Sequence, residues 1–227
     1  LNSWTVSNVD DMDAMFQGAT DFDQPLNGWD VSSVDDMDAM FREATAFNQP
    51  LNSWTVSNVT TMSRMFQGAA DFDQPLNGWD VSSVKYMQFL FRDSNFNRPL
   101  NNWDVSNVTN MNEMFMNTPF DQNIDNWTVD KVTDMSQLFK NTDFNQPLNS
   151  WTVSKVTNFG QMFHDNDKFN QPLDNWNVSS ATNISSMFRG SREFDQPLNA
   201  WNTSPSSTAE ITNMANVFHD ARKFNQP

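Results

Sequence analysis

The chain has 227 residues, a formal charge of −15 from 13 Lys and Arg against 28 Asp and Glu, no Cys, and 37% hydrophobic residues that include 9 Trp, 20 Phe and 14 Met. The acidic balance argues against nucleic acid or an anionic membrane surface as partner, because both need a basic face. Without Cys there is no disulfide framework, thiol nucleophile or thiolate metal site, and no apolar run approaches the roughly 20 residues of a membrane span.

In chain order the first signal is a period. Trp stands at 4, 29, 54, 79, 103, 127, 151, 176 and 201, giving spacings of 25, 25, 25, 24, 24, 24, 25 and 25. We number the coils 1 to 9 by these tryptophans. Each coil includes the F-x-Q-P-L segment before its Trp. Leu1 to Trp4 (LNSW) and Phe224 to Pro227 (FNQP) join to spell FNQPLNSW, the text at Phe47 to Trp54. The sequence therefore reads as a fragment of a longer array, with partial coils at both ends and a loop insertion near 203–210 in coil 9.

Coil 2 shows the pattern. Pro25, Asn27 and Gly28 predict a turn. Trp29, Asp30 and Val31 alternate as a short strand. Ser32 reads as a helix N-cap with Asp35 three residues on. Val34, Met37, Met40 and Phe41 follow as one stripe of a helix. Met fits that stripe at every position but Met116, and 18 of the 20 Phe occupy two recurring slots. These are core positions. A single coil cannot bury its apolar face alone, whereas stacked coils can. The expected fold is an α/β solenoid: one short parallel strand plus one short helix per ~25-residue coil, about nine coils, in a single array over 1–227. At about 4.8 Å per step the array would be roughly 40 Å long.

Phe96 to Phe115 reads FNRPLNNWDVSNVTNMNEMF. This string resembles the BspA-like leucine-rich repeats of surface proteins, in the Mycoplasma-type lipoprotein repeat form, and the likeness runs through the whole chain. It implies a leucine-rich-repeat-like fold and, loosely, adhesion or recognition. Thr203, Asn123-Ile124 and Ala181 depart from the repeat wording.

Little in the sequence reads as reaction chemistry. His164 and His219 lie two coils apart and read as exposed helix-end residues. No triad, HExxH or phosphate loop stands in the chain. The expectation is no enzyme, no cofactor and no catalytic or metal residue. Asp10, Asp11 and Asp13 recur as Asp35, Asp36 and Asp38 in the next coil. That cluster leaves calcium as an open question, set against the more ordinary reading of a solvated charged face. The recurring Asn27, Asn77 and Asn149, with Asp125 in the same slot, are expected to satisfy turn backbone. Coil 4 breaks the wording. Tyr86 stands where other coils carry Asp, Asn or Thr, Phe89 where they carry small or polar residues, and Lys85 lies beside them. Tyr86, Phe89 and Lys85 are the candidate partner-binding residues. The composite reading is an extracellular or cell-surface module that recognises a protein or glycan by multivalent display. The alternative is self-assembly of like arrays into a fibre, sheath or surface layer.

Overall fold

The computed structural model describes residues 1, 3–199, 201 and 211–227; the insertion expected near 203–210 lies outside them. Equivalent residues of successive coils lie side by side, joined by parallel single-residue bridges from Asp11 to Asp36, Thr61, Tyr86, Asn110, Asp134, Asn158, Asn183 and Asn213. The expected strand and helix are both absent. Among the described residues there is no helix, and these isolated bridges are the only β pairing. The α/β solenoid and the leucine-rich-repeat geometry implied by the resemblance are therefore corrected to a stack of turn-built coils.

Coil 2 shows why the helix fails. The N–H groups of Met37, Ala39, Phe41 and Glu43 donate forward to the carbonyls of Thr61, Ser63, Met65 and Gln67 at 3.2, 2.8, 2.9 and 2.7 Å. Between them, the N–H groups of Met40, Arg42 and Ala44 close turns onto the carbonyls three residues back, at 3.4, 2.9 and 3.0 Å. An α-helix would satisfy these groups internally and leave none of them to bond the next coil. Consecutive three-residue turns carry nearly the same apolar period as a helix, so Val34, Met37, Met40 and Phe41 are all 0% exposed although no helix forms. The chain escapes the helical path at two residues per coil with left-handed backbone, such as Ala39 at φ 53° and Glu43 at φ 59°. One left-handed column is filled mostly by Gly, Asp and Asn, which tolerate it. The other holds Ala14, Ala39, Arg64, Phe89, Glu113, Gln137, Gln161, Ser186 and Asn216. There the conformation is imposed by the ladder rather than preferred by the residue.

The predicted strand at Trp29 to Val31 makes no bridge. Its place is held by side chains instead. Each indole N–H donates to a backbone carbonyl of the preceding coil, as from Trp54 to Leu26, at 2.9–3.2 Å across all eight junctions. Trp29 through Trp176 are 1–4% exposed. The Phe slots form two parallel ladders. Rings from Phe16 to Phe218 step at 5.4–5.9 Å, and rings from Phe22 to Phe224 at 5.8–6.4 Å. The two Phe of each pair stack at 3.9–4.3 Å. Each ring is thus buried by its own coil and by the next.

A second ladder locks the register at the surface. The Oδ1 of Asp23 accepts the N–H of Asn48 and the Nε2 of Gln49, at 3.0 and 2.9 Å. The backbone half of this contact recurs at every junction, through Asn48, Asp73, Asn97, Asp121, Asn145, Asn170 and Asp195, at 2.9–3.1 Å. Only an acceptor oxygen is needed, so Asp and Asn serve equally. The neighbour must be a donor, and Arg98 replaces Gln by pairing with Asp73 at 2.8 Å. Where Gln226 and the Asn225 N–H bond Asp195, they hold its carboxyl below the usual range. Substituting Gln146→Glu, which turns the donor to Asp121 at 3.0 Å into a like charge, is expected to cost about 1–3 kcal/mol. Gln74→Glu, facing Asn48, should cost less. Urea midpoints check the pair, and equal losses would rule out the charge contribution.

Candidate functional site

Side chains at the bridge position do a uniform job. In eight coils their oxygen accepts the N–H two residues on, as from Asp13 to Asp11 and from Ser136 to Asp134, at 2.8–3.3 Å. Coil 4 lacks this cap because Tyr86 occupies the position. Tyr86 is 47% exposed. Among the described residues no acceptor meets the Gln88 N–H, and the buried Oε1 of Gln88 has no partner. Lys85 is exposed next to Tyr86 and forms no ion pair among the described residues.

Phe89, the second candidate, is half-buried. Its backbone is left-handed at φ 63°, and its ring lies under two guanidinium groups, Arg64 at 5.3 Å and Arg92 at 5.9 Å. Both arginines are also paired: Arg64 with Asp38 at 3.3 Å, and Arg92 with Glu113 at 2.5 Å and Asp93 at 3.0 Å. Arg64 and Arg92 lie in neighbouring coils, and their convergence on one ring was not signalled by the sequence. Coil 4 therefore exposes a phenol and an ammonium at Tyr86 and Lys85, and separately holds Phe89 between two charge-paired arginines. Cation–π contacts of this kind contribute about 0.5–1 kcal/mol each at exposed sites.

The other candidates are occupied with structure. Asp11 and Asp36 use an oxygen each to cap Asp13 and Asp38, both at 2.8 Å. Burial pushes the Asp38 carboxyl up, against the pull of Arg64 and with added repulsion from Asp13 and Asp36. Among the described residues no three His, Asp or Glu side chains converge to hold a metal. Asn27, Asn77, Asp125 and Asn149 accept N–H groups from the next coil at 2.9–3.0 Å, so in coils 2, 4, 6 and 7 this slot serves the turn of the following coil. Ser32 is no N-cap. It donates instead to Asp30, at 3.1 Å from its N–H and 2.7 Å from its hydroxyl, and these bonds hold Asp30 below the usual carboxylate range.

His164 is not the exposed residue that was expected. Its side chain is 15% exposed, and its buried Nδ1 has no hydrogen-bond partner. Burial lowers its pKa from 6.5; Asp165 opposes this, and Lys140 and Arg189 add to it. The unfolded chain thus takes up the proton first as pH falls. This residue's share of stability is present above 6.5 and is lost as pH drops from there toward the lower folded value. A His164→Gln chain should show a flatter fall in urea midpoint between about pH 8 and about pH 5 than the parent. Identical profiles would contradict the assignment.

The family model described as "Mycoplasma protein of unknown function, DUF285" matches residues 1–95, 52–142, 79–164 and 116–227. No curated protein and no solved structure matches the chain.

Proposed function

The chain belongs to this Mycoplasma repeat family, and from that premise we propose that it is a non-enzymatic recognition module at a cell surface, presenting Tyr86 and Lys85 of coil 4 to a protein partner from a rigid stack. The observation that carries this reading is the missing cap. Eight coils spend the bridge position on a stabilising Asp, Asn or Thr, and coil 4 places a half-exposed phenol there. Departures from a local folding rule concentrate where function needs them. Tyrosine is a favoured interface anchor because it buries much area at low entropic cost. Lys85 suits a carboxylate on the partner. The likeness to BspA-like surface repeats supports the surface location. Repetition of the coil supports rigid display, since each backbone is held by both neighbours.

Tyr86→Asn separates binding from folding. Asn is the residue of four other coils at this position, and its oxygen can reach the Gln88 N–H. The substitution is expected to stabilise the chain by about 0.5–1 kcal/mol. The parent and the variant would be screened on an array of purified surface proteins and glycans. A hit on the parent that disappears in the more stable variant supports the proposal. Hits that survive Tyr86→Asn would place recognition elsewhere, and an array without hits would count against recognition altogether.

A further inference from the structure

Seven coils carry Pro between the ladder Gln or Arg and the buried Leu, at Pro25, Pro50, Pro75, Pro99, Pro147, Pro172 and Pro197; coil 6 carries Asn123 instead. At this corner the surface is indented by a depression of about 630 Å³, lined by Pro99, Asn101, Gln122, Asn123 and Asn126, together with Asp125 and Ser150. We infer that this corner of coils 5 and 6 binds a neutral polyhydroxyl ligand, a saccharide of one to three rings.

The class follows from which groups are free. Asn123 uses its Oδ1 on the Asp125 N–H at 3.0 Å, leaving its Nδ2 as a donor. Gln122 gives its Nε2 to Asn97 at 2.9 Å, leaving Oε1. Asn126 gives its Nδ2 to the Asn101 carbonyl at 2.7 Å, leaving Oδ1. The recess thus offers one donor and two acceptors, held in place because Gln122 and Asn126 are tied to the preceding coil and Asn123 to its own turn. A hydroxyl both donates and accepts, so neighbouring sugar hydroxyls match this mixture. An anion does not fit, because no cation lines the recess and Asp125 repels it. A metal ion does not fit either, because both Asp125 oxygens already accept from Ser150, at 3.0 and 2.9 Å. An apolar ligand would leave the free amide ends of Asn123, Gln122 and Asn126 covered and unpaired. The volume is that of a small-ligand site.

This extends the recognition reading to a ligand class and to a second place on the array. Its variants leave Tyr86 untouched, so the two proposals fail separately. The test is a titration of the isotope-labelled full chain with maltose, lactose, cellobiose and N,N′-diacetylchitobiose, with glucose 6-phosphate as the charged control. The side-chain amide resonances of Asn123, Gln122 and Asn126 are followed. At least one neutral disaccharide should shift them, and Asn123→Pro should weaken that binding about tenfold or more, one to two hydrogen bonds' worth. Pro stands at this place in the other coils, so the fold should persist. Asn126→Ser, which copies Ser53 and Ser150 and removes one acceptor, gives an independent check. The inference is overturned if no disaccharide shifts these resonances, if binding survives both variants, or if glucose 6-phosphate binds as well as the neutral sugars.

Discussion

Phe91→Ala is expected to lower stability by about 3–5 kcal/mol and to broaden the unfolding transition. Phe91 is fully buried. Its ring stacks on Phe66 at 5.8 Å, Phe115 at 5.9 Å and Phe96 at 3.9 Å, and lies 6.3 Å from Trp103. Removing it opens a cavity that touches coils on both sides. In a stack each coil contacts only its neighbours, so a weak central junction lets the two halves unfold separately. Phe218→Ala is the matched control. Phe218 is 36% exposed and has one ladder neighbour, Phe188, at 5.7 Å, so its loss should be about half as large or less. Guanidinium melts of both variants decide the matter. An equal or larger loss at Phe218 would mean that stacking along the ladder does not dominate the core.

The second large effect is at Ser186, where the backbone is left-handed at φ 53° and the N–H donates to the Ala215 carbonyl at 2.8 Å. Proline cannot adopt that φ and has no N–H. Ser186→Pro should therefore cost about 3 kcal/mol or more. Glycine adopts the conformation freely, and Ser186→Gly should leave stability unchanged or raise it by a few tenths up to about 1 kcal/mol. A true helix at this place would reverse the second result, because Gly in a helix interior is unfavourable by about 0.5–1 kcal/mol. Thermal melts of the two variants therefore separate the turn ladder from a helix.

The same residue shows what the sequence could and could not convey. The period, the buried stripe and the stacking of coils were all legible, because Trp, Met and Phe return at fixed spacing and must be buried against one another. The helix was a misreading of that stripe. Apolar residues at i, i+3, i+6 and i+7 suit turns of three residues as well as helical turns, and Ser186 or Gln137 gives no sign of a left-handed backbone. Gly18, Gly68 and Gly190 did carry that sign in the companion column, at φ 69–72°, yet they could as well be read as ordinary helix ends.

At the candidate site the departure was legible and its surroundings were not. Tyr86 stood out by type. Its meaning, a lost cap, needed the knowledge that Asp36 and Asn110 bond the N–H groups of Asp38 and Asn112. Phe89 was visible as an intruder, but Arg64 and Arg92 become its partners through stacking that the local sequence does not show. The Asp/Asn–Gln ladder was hidden in a segment read only as a turn. The signal was present: Asp and Asn interchange freely beside a Gln, as they do when only a shared oxygen matters.

The central claim is that backbone N–H groups bond forward to the next coil rather than back along a helix. Scalar couplings across hydrogen bonds, measured between amide nitrogen and carbonyl carbon in the deuterated full chain, test it directly. The expected correlations run from Ala39 to Ser63, Arg64 to Gln88 and Phe91 to Met114, whose N–H and carbonyl groups lie 2.8, 3.0 and 3.0 Å apart. Correlations from those same amides to carbonyls four residues earlier would contradict the account.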